Sequence, residues 1–121
     1  MVGRAIVVAL LFIGLAHAGL EEELEQQQEI EARLQFELEM QRELSALTYS
    51  DAVEFAQGAI INREEQMERL EAADIIWDEF IERICRAETL ESIGTRAERA
   101  NNLQCMIKKY KEKEIFFKAI I

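Results

Sequence analysis

Apolar residues recur along this chain at the three- and four-residue spacing that marks one face of an α-helix. In the segment of about residues 21–47, two series keep this spacing: Ile30, Leu34 and Leu38, followed by Met40, Leu44 and Leu47. The apolar positions cover more than half of the helix circumference, which is wider than one neighbouring helix requires. This width predicts either a helix placed between two neighbours or a face kept for a second subunit, a partner or a lipid.

A longer helix is predicted over about residues 51–91. It follows a boundary at residues 48–51, where Thr48 with Asp51 and Asp51 with Glu54 have the spacing of helix caps. A heptad then continues without a change of phase through Val53, Ala56, Ile60, Arg63, Met67, Leu70, Asp74, Trp77, Ile81 and Ile84. Such a repeat is typical of a helix that packs along its length against other helices.

The sequence leaves the continuity of this helix open. Gly58 and the pair Asn62 with Glu65 favour a break near residues 58–62, and a break near residues 72–74 is an alternative. A broken helix would give a compact bundle. One continuous helix would extend beyond its neighbours, and its exposed end would favour a homodimer formed through the heptad.

Two heptad positions carry charged residues, Arg63 and Asp74. Polar residues at core heptad positions fix the register of packed helices at a cost in stability, and this is the role predicted for both. The alternative places the Asp74 carboxylate inside a ligand cavity. Trp77 lies one step further along the same face, and it is predicted to be a core residue or an interface anchor.

A helical hairpin is predicted at the C-terminal end of the chain. Gly94 is suited to end one helix, and Thr95 with Glu98 has the spacing of a capping box that begins the next, over about residues 95–119. Because the stop and start signals are adjacent, the two helices are expected to be antiparallel neighbours.

The two cysteines of the chain, Cys85 and Cys105, lie ten residues on either side of Thr95. A hairpin that turns there brings them to the same level and predicts a disulfide. The bridge would run along the flank of the hairpin, because Cys105 is turned away from the apolar stripe of its helix. If that helix is rotated the other way, Cys105 would pair between chains instead. Paired cysteines indicate an oxidising compartment.

The first 18 residues have the order of a secretory signal peptide. Arg4 precedes an apolar run over residues 5–15, and cleavage is predicted between Ala18 and Gly19. An uncleaved membrane anchor is the alternative, but the run is shorter than the roughly 20 residues that a spanning helix needs. The protein is therefore predicted to be secreted and extracellular, with residues 19–121 as a single helical domain.

Composition supports an all-α fold. The chain of 121 residues contains no proline and only five glycines, and Glu, Ala, Leu, Gln and Arg, which favour helices, are abundant. The predicted architecture is an antiparallel bundle of three to four amphipathic helices, with the disulfide linking the C-terminal hairpin.

Charge and residue types exclude several classes of function. The formal net charge is −10, with 24 acidic against 14 basic residues, and cleavage after Ala18 would remove Arg4 and the sole histidine, His17. A mature protein without histidine lacks the commonest general base and zinc ligand, and an acidic protein is repelled by nucleic acid. No nucleotide, metal or other cofactor motif occurs in the sequence. We therefore predict no catalytic, cofactor or metal site and no enzymatic activity.

Every lysine follows Ile107, so the C-terminal segment is basic as well as amphipathic. The candidate contacts with a partner or a membrane are Lys108, Lys109, Lys111, Lys113, Phe116, Phe117 and Lys118. Such a segment would bind an anionic membrane or an acidic receptor. The alternative is structural, because lysines near the end of a helix suit its dipole and pair with acidic side chains.

Together these patterns predict a secreted helical interaction protein that presents a helix face to a protein partner, with a homodimer as one form of that contact. The first alternative is an extracellular carrier that holds a hydrophobic ligand or lipid between its helices. The second alternative is a protein that acts on membranes through its basic C-terminal segment. The residues indicate the class of partner but not its identity.

Overall fold

A computed structural model describes the backbone of residues 2–121 and the side chains of residues 19–121. This part of the chain forms α1 (Val2–Gln57), α2 (Arg63–Glu88) and α3 (Glu98–Ile120), with a 3-10 helix at Leu90–Ser92 and no strand. The all-α prediction is confirmed. The predicted signal peptide lies outside the residues whose side chains are described, so it stays a prediction.

Contacts divide the chain into two units. One unit ends at Ala32, and the other spans Arg33–Ile121. In the first unit, Nε2 of Gln27 donates to Oε1 of Glu31 at 3.2 Å along the helix. The disulfide and two apolar clusters lie in the second unit. The single domain predicted for residues 19–121 stays a prediction.

The boundary predicted at residues 48–51 is wrong, because α1 continues through it without interruption. The hydroxyl groups near this point bond back to their own helix instead of capping a new one. Oγ of Ser45 donates to the carbonyl of Arg42 at 2.8 Å, and Oγ1 of Thr48 donates to the carbonyl of Leu44 at 2.8 Å. Serine and threonine that bond to the preceding turn are accommodated within a helix.

The break that the structure does contain lies between Gln57 and Arg63, at the first of the two sites that the sequence left open. Asn62 occupies the predicted N-cap position of α2, but it has a φ of 59° and makes no capping bond with its side chain. Ile60, a predicted heptad residue, lies in this connection and is 97% exposed. α2 then continues past residues 72–74 without a second break.

The turn between α2 and α3 lies where the sequence predicts it but uses other hydrogen bonds. Gly94 has a φ of 76°, and its N–H donates to Oε2 of Glu98 at 3.0 Å. Thr95 donates from Oγ1 to the carbonyl of Ser92 at 2.7 Å. The Thr95 capping box is therefore wrong, and α3 begins at Glu98 without a side-chain cap.

Cys85 and Cys105 form a disulfide within the chain, with their Cα atoms 5.6 Å apart. The same two helices also meet where Asp78 contacts Lys113, further from the turn on both helices, so α2 and α3 are antiparallel. Cys85 is fully buried, whereas Cys105 is half-buried. This confirms the intramolecular disulfide, and the position of Cys105 agrees with a bridge along the flank.

Two apolar clusters join all three helices within the second unit. The first contains Leu34, Leu38, Ile81, Cys85, Leu103 and Tyr110. The second contains Ala52, Ala56, Leu70 and Phe117. Heptad positions of α2 from Met67 to Ile84 are buried or half-buried. These positions of the heptad therefore pack within the chain, and the homodimer that the sequence predicts through the heptad stays a prediction.

Candidate functional site

Lys113 lies in the interior between α2 and α3, where only 5% of its side chain is exposed. Its Nζ lies 2.6 Å from Oδ1 of Asp74 and 2.8 Å from Oδ1 of Asp78. The same Nζ lies 5.8 Å from the ring centroid of Tyr110, and the guanidinium of Arg42 lies 5.2 Å from that centroid. This ion cluster links α2 to α3, and the ring of Tyr110 extends its contacts to α1.

The protonation states of Lys113 and of Tyr49, which lies within range of its charge, favour a structural role. Burial lowers the pKa of Lys113, but the hydrogen bonds and charges of Asp74 and Asp78 raise it by more, so the pKa lies above its usual value. Burial, followed by the negative charges of Asp74 and Glu71, raises the pKa of Tyr49. Both groups keep their protons at neutral pH, whereas an efficient general acid or base has a pKa near the working pH. The contact of Asp74 with Lys113 agrees with the role predicted for Asp74 in fixing the register of packed helices. Arg63 is exposed, which does not agree with that role.

Lys113 and Phe117 do not belong to the exposed basic face on which the sequence analysis placed them, because both are buried. Lys113 follows Tyr110 by three residues and precedes Phe117 by four, so the helical spacing puts all three on the inward face. That spacing, together with Asp74 at a heptad position of α2, was the signal that the sequence analysis missed.

The rest of the C-terminal segment does not form one continuous basic face. Lys109 is largely buried and pairs with Glu88 and Glu112, each at 3.5 Å. The exposed members are Lys108, Lys111, Phe116 and Lys118. Nζ of Lys118 pairs with Oε1 of Glu114 at 3.2 Å along the helix. Within this segment, Lys109, Lys113 and Phe117 therefore hold α3 to the rest of the chain.

Large apolar side chains are exposed along one face of α1. We name this face the outer stripe, and it consists of Phe36 (63% exposed), Met40 (48%), Leu44 (46%) and Leu47 (63%). Successive members are three or four residues apart, so they lie on one side of the helix. At about 100° per residue, the outer stripe is centred roughly 130° from the face that packs within the chain.

The inward face of α1 beyond Leu38 is built from small and polar residues. Ser45, Thr48, Ala52 and Ala56 are buried there. Small side chains allow helices to approach closely, and the hydroxyls of Ser45 and Thr48 are satisfied by carbonyls of their own helix. The wide apolar arc predicted from the sequence thus comprises two faces, one packed within the chain and one exposed.

A groove of about 340 Å³ lies where α1 and α3 end and α2 begins. It is lined by Ala52, Phe55, Ala56, Gln66, Arg69, Leu70, Ala73, Phe116 and Ile120. The lining is mainly apolar, and Nε of Arg69 is already paired with Oε1 of Glu65 at 2.9 Å. The volume lies at the lower end of the range of about 300–1,000 Å³ for small-molecule sites.

No three acidic, histidine or cysteine side chains converge on a metal position within the described part of the chain. Among the same residues, no helix has the length and apolar content that crossing a membrane requires. Comparisons with protein-family models, with curated proteins and with solved structures found no match. The functional conclusion therefore rests on the residues of this chain.

Proposed function

We propose that this protein is a secreted, non-enzymatic helical interaction protein that presents the outer stripe of α1 to a helix of a protein partner. The observation that carries the proposal is the exposure of four large apolar side chains on one helix face. Exposed apolar patches on soluble proteins mark interaction sites. A partner helix can pack its own apolar face along such a stripe.

In this proposal the three helices of the second unit form a bundle that holds the outer stripe in a fixed orientation. Two contacts between α1 and α3 support this arrangement. Nε2 of Gln41 donates to Oε2 of Glu114 at 3.0 Å, and the ring centroids of Tyr49 and Phe117 are 5.2 Å apart. A preorganised surface loses less conformational entropy when it binds.

Export through the signal peptide of residues 1–18 belongs to the same proposal. The disulfide supports it, because structural disulfides persist mainly in oxidising compartments. Protein recovered from the medium of expressing cells is expected to begin at Gly19 when its N-terminus is sequenced. Retention inside the cells, or an N-terminus at Met1, would contradict export by cleavage.

Site-specific photo-cross-linking tests the proposed contact. A photoreactive phenylalanine analogue replaces Met40 in the outer stripe or, as a matched control, the exposed Glu71 of α2. With extracts of the secreting tissue, we expect a cross-linked protein from position 40 only, and its loss when Leu44→Glu is added. Equal products from both positions, or none from position 40, would count against this use of α1.

The groove favours a second candidate function, an extracellular carrier of a small hydrophobic ligand. Native mass spectrometry of protein taken from its source would detect a bound ligand. Ala73→Phe is expected to fill the groove and remove that ligand, whereas Ala72→Phe, on the exposed neighbouring position, is expected to leave it bound. Protein that arrives without ligand would exclude the carrier function.

Membrane action through the C-terminal segment has less support. Lys113 and Phe117 are buried, and Lys109 pairs with acidic side chains. Of the other lysines, Lys118 pairs with Glu114 within α3. We therefore do not propose a membrane-active protein.

A further inference from the structure

We infer that the outer stripe of α1 binds the outer stripe of a second copy of this chain, with the two helices antiparallel and a two-fold axis at the level of residue 42. The inference rests on the proposed function and names its partner. It follows from the order of charged and apolar residues between Arg33 and Asp51.

The outer stripe is continued at each end by a charged residue of opposite sign. Arg33 lies three residues before the first member of the stripe, and Asp51 lies four residues after the last. Both side chains are exposed. At about 100° per residue they lie on the same side of the helix as Met40 and Leu44.

The two charges are placed symmetrically about residue 42, at nine residues before it and nine residues after it. An antiparallel pair of helices with its axis there brings Arg33 of each copy opposite Asp51 of the other. The dimer therefore contains two equivalent ion pairs, one at each end. Opposite charges placed in this way set the orientation and register of a helical interface.

The apolar residues follow the same symmetry. Met40 and Leu44 lie two residues on either side of residue 42, so each faces the other in the second copy. Phe36 and Leu47 lie six residues before and five residues after residue 42, so they meet within one residue of the same level. Every large side chain of the outer stripe then has an apolar neighbour across the interface, as a two-fold interface requires.

Other arrangements of two copies are less favourable. A parallel pair places Arg33 opposite Arg33 and Asp51 opposite Asp51, which brings like charges together. An antiparallel pair shifted by one heptad places Asp51 against Met40 or Arg33 against Leu44 of the second copy, which surrounds a charge with apolar side chains. The net charge of −10 also opposes unspecific self-association. The residue order therefore selects one register.

The negative charge of Glu43 opposes this pairing, so a variant that removes the charge is expected to strengthen the dimer. It flanks the outer stripe one residue from the axis, so the two Glu43 side chains approach each other at levels about 3 Å apart. Replacement by glutamine removes a like-charge contact without changing the size of the side chain. Glu43→Gln is therefore expected to strengthen the dimer.

Charge exchange tests the inference. Three variants are compared with the wild type: Arg33→Asp, Asp51→Arg and the double variant. Each protein is recovered with its disulfide formed and is studied by size-exclusion chromatography with light scattering over a range of concentrations. Each single variant places like charges together at both ends, and we expect the dimer dissociation constant to rise about tenfold. The double variant restores opposite charges and is expected to return within about threefold of the original value.

Arg83→Asp serves as the control, because Arg83 lies on α2 outside the stripe with 79% of its side chain exposed. Its dissociation constant is expected to match that of the wild type. Circular dichroism confirms that each variant is folded. A double variant as weak as either single variant would overturn the antiparallel register. So would a dimer dissociation constant that is the same in the wild type, in Arg33→Asp and in Asp51→Arg.

Protein that stays monomeric up to about 1 mM would overturn the inference. A different observation, the absence of a cross-linked protein from position 40, would contradict the proposed function. A monomer that still cross-links a different protein through position 40 retains the interaction role and loses only the second copy as its partner.

Discussion

Lys113 holds α2 and α3 in register, because its ammonium group lies between two carboxylates of α2. We predict that Lys113→Met lowers the free energy of unfolding by about 2 kcal/mol. Breaking a fully buried ion pair costs about 3–5 kcal/mol, and the half-exposed Asp78 reduces the cost here. Urea unfolding followed by circular dichroism measures the change. The exposed Lys111→Met is expected to stay within about 0.5 kcal/mol of the wild type, and equal effects of the two variants would contradict the assignment.

The raised pKa of Lys113 predicts a loss of stability in alkali. A lysine with a folded-state pKa above the unfolded value of about 10.4 contributes its full stabilisation below that value. The contribution is then lost as the pH rises through the folded-state pKa. We predict that, as the pH rises from about 10.4 through the folded-state pKa, the melting temperature falls more steeply in the wild type than in Lys113→Met. Parallel pH profiles of the two proteins would show that the cluster does not stabilise the fold.

Single residues could be predicted from the sequence where one residue type has a narrow range of uses. Cys85 and Cys105 pair as predicted because they are the only cysteines and lie at equal distances from the turn. The turn itself was predictable from Gly94, whose φ of 76° favours glycine. The buried position of Lys113 was not predicted. It was assigned to the exposed basic face with the other lysines, although it lies three residues from Tyr110 on the same side of the helix.

At the scale of elements, the heptad predicted the inward face of α2, but the sequence did not predict where α1 ends. Thr48 and Asp51 resemble capping residues, and the tertiary structure overrides that local preference. Ala52 and Ala56 are buried against α2 and α3, so ending the helix at Asp51 would remove that contact. The connection forms instead at Gly58, where the sequence also offered a break.

The connection between α1 and α2 depends on the left-handed conformation of Asn62. We predict that Asn62→Val lowers the free energy of unfolding by about 1–2 kcal/mol, because a side chain branched at Cβ disfavours this backbone region. Asn62→Gly is expected to be neutral or slightly stabilising. Asn101→Val, within α3, is the control and is expected to have a small effect because the two residues have similar helix propensities. Thermal unfolding compares the three variants, and a neutral Asn62→Val would show that this conformation is not required.

The two faces of α1 are predicted to respond differently to substitution. Ala52 is fully buried, so Ala52→Leu overpacks the contact with α2 and α3 and is expected to cost about 2 kcal/mol of unfolding free energy. Leu47→Ala removes an exposed side chain and is expected to change the stability of the monomer by less than about 0.5 kcal/mol. Chemical unfolding at a concentration below dimer formation makes the comparison. A larger effect of Leu47→Ala would mean that the outer stripe packs within the chain.

At the scale of the whole molecule, the sequence indicated which classes of function are disfavoured, but it did not indicate which surface binds a partner. The lack of histidine in residues 19–121 and the acidic composition disfavoured catalysis and nucleic-acid binding. The sequence pattern could not distinguish the inward face of α1 from the outer stripe, because both faces contain apolar residues at helical spacing. Only the burial of Ser45, Thr48 and Ala52 in the structure shows which face of α1 is inward and that the larger side chains are left exposed.

The central claim is that the exposed outer stripe joins two antiparallel copies, and distances between spin labels on the two copies test it most directly. Labels introduced as unnatural amino acids replace Glu39 or Ser50, which are exposed and lie outside the stripe. With the axis at residue 42, equivalent labels are separated along the helices by about 9 Å at position 39 and about 24 Å at position 50. We predict a clearly longer distance at position 50. Equal distances at the two positions would indicate a parallel pair, and the absence of any distance between copies would contradict the dimer.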